Sequence, residues 1–172
     1  MKRVILSLLA VAAVFAALAG GVTTIARANP TLDDINVYRQ VTWKWQRLMG
    51  VRLTTSHRNE RAAGPQYRRW IRDLWLKRAH TAWRHAQSPP HLTAWKCIHR
   101  YEGAWSDSGA PYYGGLQMDL SFQRSYGADL LRRKGTADHW TPVEQMWVAE
   151  RAYRSGRGFY PWPNTARSCG LI

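Results

Sequence analysis

Acidic residues are scarce in this chain. Its 172 residues include eleven Asp and Glu against twenty-five Lys and Arg, giving a formal charge of +14 and a pI near 10.6. Such an imbalance points to a polyanionic partner. Cysteine is nearly absent too: only Cys97 and Cys169 are present. The six histidines are scattered and lack the spacing of metal ligands, so neither a metal centre nor a cofactor is expected. Internal repeats and low-complexity tracts are missing. The length suits one compact domain with an appendage, or two very small domains.

The first segment is the least polar. Met1-Lys2-Arg3 precedes a nearly unbroken apolar run from Val4 to Val22, and Ala26-Arg27-Ala28 follows. Two cations, an apolar stretch and small residues at the two positions read by a signal peptidase form a secretory signal. Cleavage is expected after Ala28, leaving Asn29 first; the alternative is an uncleaved membrane anchor, since the run approaches the ~20 apolar residues that span a bilayer. No cysteine lies there to carry a lipid. Export to the cell wall or beyond turns the expected polyanion from nucleic acid to wall polymers, peptide-stem carboxylates and acidic lipid headgroups. In an oxidising compartment the isolated cysteine pair most simply forms one disulfide, worth about 4 kcal/mol by loop-closure entropy; two buried thiols are the alternative.

The cations are unevenly shared. Residues 29–90 carry twelve Lys and Arg against four Asp and Glu, whereas residues 91–172 carry ten against seven. In the basic segment, Leu32, Ile35, Tyr38, Val41, Trp45, Leu48 and Met49 recur with helical period, and Thr31 is a candidate cap. Residues 54–66 read as a linker ending at the breaker Gly64-Pro65. A second helix is predicted over Tyr67–Ala86, its stripe formed by Trp70, Ile71, Leu74, Trp75, Ala79, Ala82 and Trp83 and its remainder rich in Arg. That stripe either packs onto the rest of the chain or lies on an anionic wall polymer or membrane surface. Ser88-Pro89-Pro90 marks the main boundary.

Beyond it, helices are predicted over His91–Tyr101, Phe122–Arg133 and Pro142–Arg154, with Thr141, Pro142 and Glu144 forming a capping box. Gly103–Pro111 reads as loop, Tyr112–Met118 as a short hairpin or tight turn, and Gly156–Ile172 as a tail. The chemistry concentrates at Glu102, a single acid at a helix end beside aromatic residues and a Gly-Gly turn. Desolvation by aromatic rings penalises the charged carboxylate, which suits a proton donor at a glycosidic bond. No second placed carboxylate accompanies it. Asp107 reads as a solvated loop residue, the alternative being a supporting carboxylate near Glu102; His99 reads as a surface residue, and the seventeen-residue spacing from Glu102 to Asp119 as coincidence.

Trp95, Cys97, Glu102, Trp105, the run Tyr112-Tyr113-Gly114-Gly115-Leu116-Gln117, Trp162-Pro163 and Cys169 occur in an order that resembles the transglycosylase domain of the resuscitation-promoting factor family, within the lysozyme-like superfamily. The resemblance spans residues 91–172. Cys97, about one helical turn before Glu102, is similar in placement to animal lysozymes of the hen egg-white type. The short step from Glu102 to Trp105 is similar to soluble lytic transglycosylases. Aligned through the Tyr-Gly-x-Leu-Gln run, Tyr112 stands where animal lysozymes carry their second carboxylate.

The resemblance implies a mainly α (α+β lysozyme-like) domain, small and helical with a short β-hairpin, preceded by the basic two-helix segment. It implies a monomeric, exported enzyme that cleaves the β-1,4 bond between N-acetylmuramic acid and N-acetylglucosamine in peptidoglycan glycan strands. Glu102 would be catalytic, and Trp105, Tyr113, Gln117 and Trp162 would bind substrate. A lone acid favours lytic transglycosylation; the alternatives are a hydrolytic muramidase and a non-catalytic wall-binding protein.

Overall fold

Helical periodicity dictates most of the architecture, and the computed structural model describes it for residues 32–56 and 64–172. The expected signal segment, the Thr31 cap and residues 57–63 of the expected linker lie outside the described residues. The chain is mainly helical: α1 is Leu32–Met49, α2 Pro65–Ala86, α3 Leu92–Glu102, α4 Leu120–Lys134, α5 Pro142–Ala152 and α6 Pro163–Ser168. A two-residue hairpin, β1 (Tyr112–Tyr113) and β2 (Met118–Asp119), pairs antiparallel with Tyr112 opposite Asp119 and Tyr113 opposite Met118. Among the described residues no helix is long and apolar enough to cross a membrane.

The α1–α2 pair closes over its own small core of Ile35, Ile71 and Trp75. The predicted stripe on α2 is only partly inward. Ile71, Trp75, Ala79 and Ala82 are buried, whereas Trp70 is 53% exposed and lies beside Tyr67. A helix buries a face of limited width, and Ile71, Trp75, Ala79, Ala82 and Ala86 already fill it.

Segments 29–90 and 91–172, expected to part at Pro90, share a core. Thr31–Ile172 forms one compact unit, and Leu48, Met49, Ala82 and Ala86 enter the larger apolar cluster built around Trp95, Ile98, Leu116, Trp147 and Trp162. Polar bonds join them as well. Arg151 of α5 donates to the carbonyls of Leu48 (2.8 Å) and Arg47, Arg154 donates to Met49, and Trp147 Nε1 donates to Ala86 O. These cations donate to the carbonyls that end α1, of which Arg47 O also accepts from Gly50 N. Burial pulls the Arg151 pKa below its ordinary value, partly opposed by Asp129.

α5 is the most enclosed element, and its start follows the sequence closely. Thr141 caps Glu144 N while the Glu144 carboxylate accepts from Thr141 N, and Lys134 adds an ion pair to Glu144 at 2.7 Å. Further along, the fully buried Glu150 accepts from His91 N (2.8 Å) and Trp95 Nε1 (2.8 Å), with His91 Nδ1 at 3.0 Å. That carboxylate pins the start of α3 to the centre of the domain, and the helix then runs outward to Glu102.

Candidate active site

Glu102 is the last residue of α3, and Gly103 ends the helix with φ 149° and ψ −172°. That conformation favours glycine. A Cβ at Gly103 would also sit 3.2 Å from Asp107 Oδ2 and 3.4 Å from Gln117 Nε2. The glycine therefore lets the loop and the hairpin end approach the backbone directly after the acid.

The hairpin is seated by Gln145, a fully buried amide on α5. Its Oε1 accepts from Gly115 N at 2.8 Å, while Nε2 donates to Trp105 O and Ala137 O, both at 2.8 Å. Gly115 packs so closely on its neighbours that a Cβ there would stand 2.5 Å from His99 Nδ1 and 2.8 Å from Trp105 Cε3. Gly115→Ala is expected to destabilise the domain by about 1–3 kcal/mol, the usual cost of overpacking, and to lower the thermal midpoint in calorimetry.

Glu102 is half-buried and faces a cleft of about 220 Å³ shared with Tyr112, Gln117, Trp162, Pro163 and Asn164. Thr165 of α6 donates from Oγ1 to Glu102 Oε1 at 2.7 Å. Tyr112, Gln117, Pro161 and Trp162 also line an adjoining cleft of about 220 Å³ that reaches Asp119, Ser121 and Arg157. The shared walls make the two clefts one groove with Glu102 in one half.

The sequence-predicted residues divide at this groove. Gln117 lines both halves, but its amide nitrogen is already committed to Asp107 Oδ2 (2.9 Å) and Gly114 O (3.0 Å). Gln117 adopts φ 46°, unusual for a side-chain-bearing residue. Trp162 is a core residue, 4% exposed, whose indole packs against Trp95 and Phe122 and donates to Leu116 O, while also lining the groove. Trp105 lines neither half: its indole stacks on His99 with centroids 3.9 Å apart. Tyr113 packs against the main core, and its neighbour Tyr112 takes the groove position.

Two expectations of exposure are corrected. His99 is half-buried, stacked on Trp105 and hydrogen-bonded to Gly115 O at 3.1 Å. Asp107 is likewise half-buried and accepts from Gly109 N and from Gln117, so it braces the loop. Asp119 is the N-cap of α4, accepting from Phe122 N at 2.7 Å, and it also lines the far half of the groove.

The sequence reading missed Thr165 and Asn164 because it left the tail irregular. Pro163 directly after Trp162 is a first-turn proline and could have revealed α6. That helix is held to α3 by the Cys97–Cys169 disulfide, with Cα atoms 6.0 Å apart. Among the described residues no group of three or more His, Cys, Asp and Glu could hold a metal ion. No protein-family model matches the chain, and no curated protein matches it.

Proposed function

We propose that the protein cleaves peptidoglycan glycan strands between N-acetylmuramic acid and N-acetylglucosamine, as a lytic transglycosylase with Glu102 as its proton donor and acceptor. The observation that carries this reading is a half-buried carboxylic acid in an aromatic-lined groove, with one of its oxygens fixed by Thr165. Glu102 gives its proton to the glycosidic oxygen as the C1–O bond breaks. The resulting carboxylate takes the proton of the muramyl 6-hydroxyl, whose oxygen closes on C1 to form the 1,6-anhydro sugar. An internal nucleophile held close to C1 substitutes for a second carboxylate through effective concentration. The resemblance to resuscitation-promoting factors supports the same chemistry.

A hydrolytic reading draws on Asp119, a second acid in the same groove. Mass spectrometry of sugars released from purified cell wall separates the two. Anhydromuramyl ends are the expected product, and free reducing ends alone would replace transglycosylation by hydrolysis. Zymography showing no clearing at all would leave a wall-binding protein.

Thr165 is a positioning residue in this scheme. Thr165→Val removes the hydroxyl and keeps the shape, so kcat is expected to fall about tenfold, the size of one hydrogen bond to a charged group. KM should change little and Thr165→Ser should restore the rate. A loss of stability with kcat intact would assign Thr165 to structure alone.

A further inference from the structure

A second cleft, of about 380 Å³, opens between α1, α2 and the segment that follows α1. Among the described residues it shares no lining residue with the groove at Glu102. We propose that this cleft binds the headgroup phosphodiester of an anionic phospholipid, with Arg78 as the chief phosphate ligand and Val51 and Leu53 as an apolar lip for the glycerol and acyl end.

The chemistry of the lining selects an anion. Lys77, Arg78 and His85 of α2 contribute three cationic or ionisable side chains, and among the described residues no Asp or Glu lines the cleft. The Arg78 guanidinium lies over the Trp75 ring at 4.9 Å, and its Nη1 is buried with no hydrogen-bond partner. Nη1 itself is closed off from solvent, so an anion entering the cleft that Arg78 lines would meet the other donors of a guanidinium left under-bonded inside the protein. A guanidinium matches phosphate oxygens particularly well, because its donors form a planar fork.

The cleft wall is built rather than incidental. Thr54 is fixed by three hydrogen bonds: Trp43 Nε1 to its carbonyl (2.7 Å), Gln46 Nε2 to its Oγ1 (2.7 Å) and its own N–H to Gln46 Oε1 (2.9 Å). That anchoring holds the segment between Val51 and Thr54, the two residues of it that line the cleft, and within it Val51 is 47% and Leu53 38% exposed. Met49 and Ala82 continue the apolar surface inside. An exposed apolar segment bordering a cationic cavity fits an amphiphile at a membrane surface. A fully hydrated sugar-phosphate polymer would gain nothing from the lip.

The test is titration of the full chain with dihexanoylphosphatidylglycerol below its micelle concentration, followed by calorimetry, so that no bilayer is present. Saturable binding is expected. Arg78→Gln should weaken it at least fivefold, and Arg132→Gln on the exposed face of α4 should leave it unchanged. Val51→Ser with Leu53→Ser replaces two exposed side chains and should weaken the lipid at least threefold. Absence of saturable binding, or equal losses for the two arginine variants, would overturn the site. Binding of sn-glycerol 3-phosphate as tight as that of the lipid would overturn the phospholipid assignment, leaving a phosphate site. Should Arg78→Gln fail to fold, the Val51/Leu53 variant decides the question, and undiminished lipid binding by it would refute the proposal.

Discussion

Glu102→Gln is expected to reduce the release of soluble sugars from purified cell wall by at least about 100-fold, the lower end of what a positioned general acid contributes. The substitution retains an oxygen that can accept from Thr165 Oγ1, so the link between α3 and α6 survives. What it removes is the transferable proton, and with it both halves of the proposed mechanism. Because Glu102 is only half-buried and ends its helix, the thermal midpoint should stay within about 2 °C of wild type, a shift typical of surface positions. Sugar release measured alongside the melting curve distinguishes loss of chemistry from loss of fold. A variant keeping a tenth or more of the wild-type rate would remove Glu102 from catalysis, and the groove would then be read as a binding surface.

Much of this arrangement was legible because it rests on local rules. The helical period identified α1 to α5, and Thr141, Pro142 and Glu144 marked the start of α5 through a capping box that the structure contains. The Gly-Gly step directly after Tyr112-Tyr113 identified the hairpin. What local rules could not supply is which of several equivalent side chains turns toward the groove. Tyr112 and Tyr113 alternate across a two-residue strand, and the core takes Tyr113. Trp105 and Trp162 are both aromatic residues near prolines or loops in sequence. Gly115 leaves room for Trp105 to stack on His99, whereas Trp162 packs between Trp95 and Phe122 at the groove floor. The long-range bonds of Gln145 and Glu150 across 30 to 59 residues leave no periodic trace either.

Removing the disulfide, by Cys97→Ser with Cys169→Ser, is expected to cost about 4 kcal/mol of stability, because the bond closes a 72-residue separation in the unfolded chain. For a domain of this size the thermal midpoint should drop by roughly 10 °C or more, a shift that calorimetry reads directly. The effect on the site should exceed the effect on the fold as a whole. Cys97 precedes Glu102 by five residues on α3, and Cys169 follows Thr165 by four at the end of α6, so the disulfide and the Thr165–Glu102 hydrogen bond join the same two helices. α6 has only six residues, too few to hold itself as an isolated helix. It relies on Ala166 and Trp162 in the core and on this covalent link. Once the link is cut, α6 should open before the Gln145- and Glu150-braced centre, because local opening follows the elements with fewest buried contacts. Hydrogen exchange of the double variant should therefore show α6 amides losing protection at temperatures where α5 amides remain protected, and lytic rate should decline in step with α6. Equal loss of protection in both helices would instead mean that the disulfide stabilises the domain globally and that the acid's geometry does not depend on it.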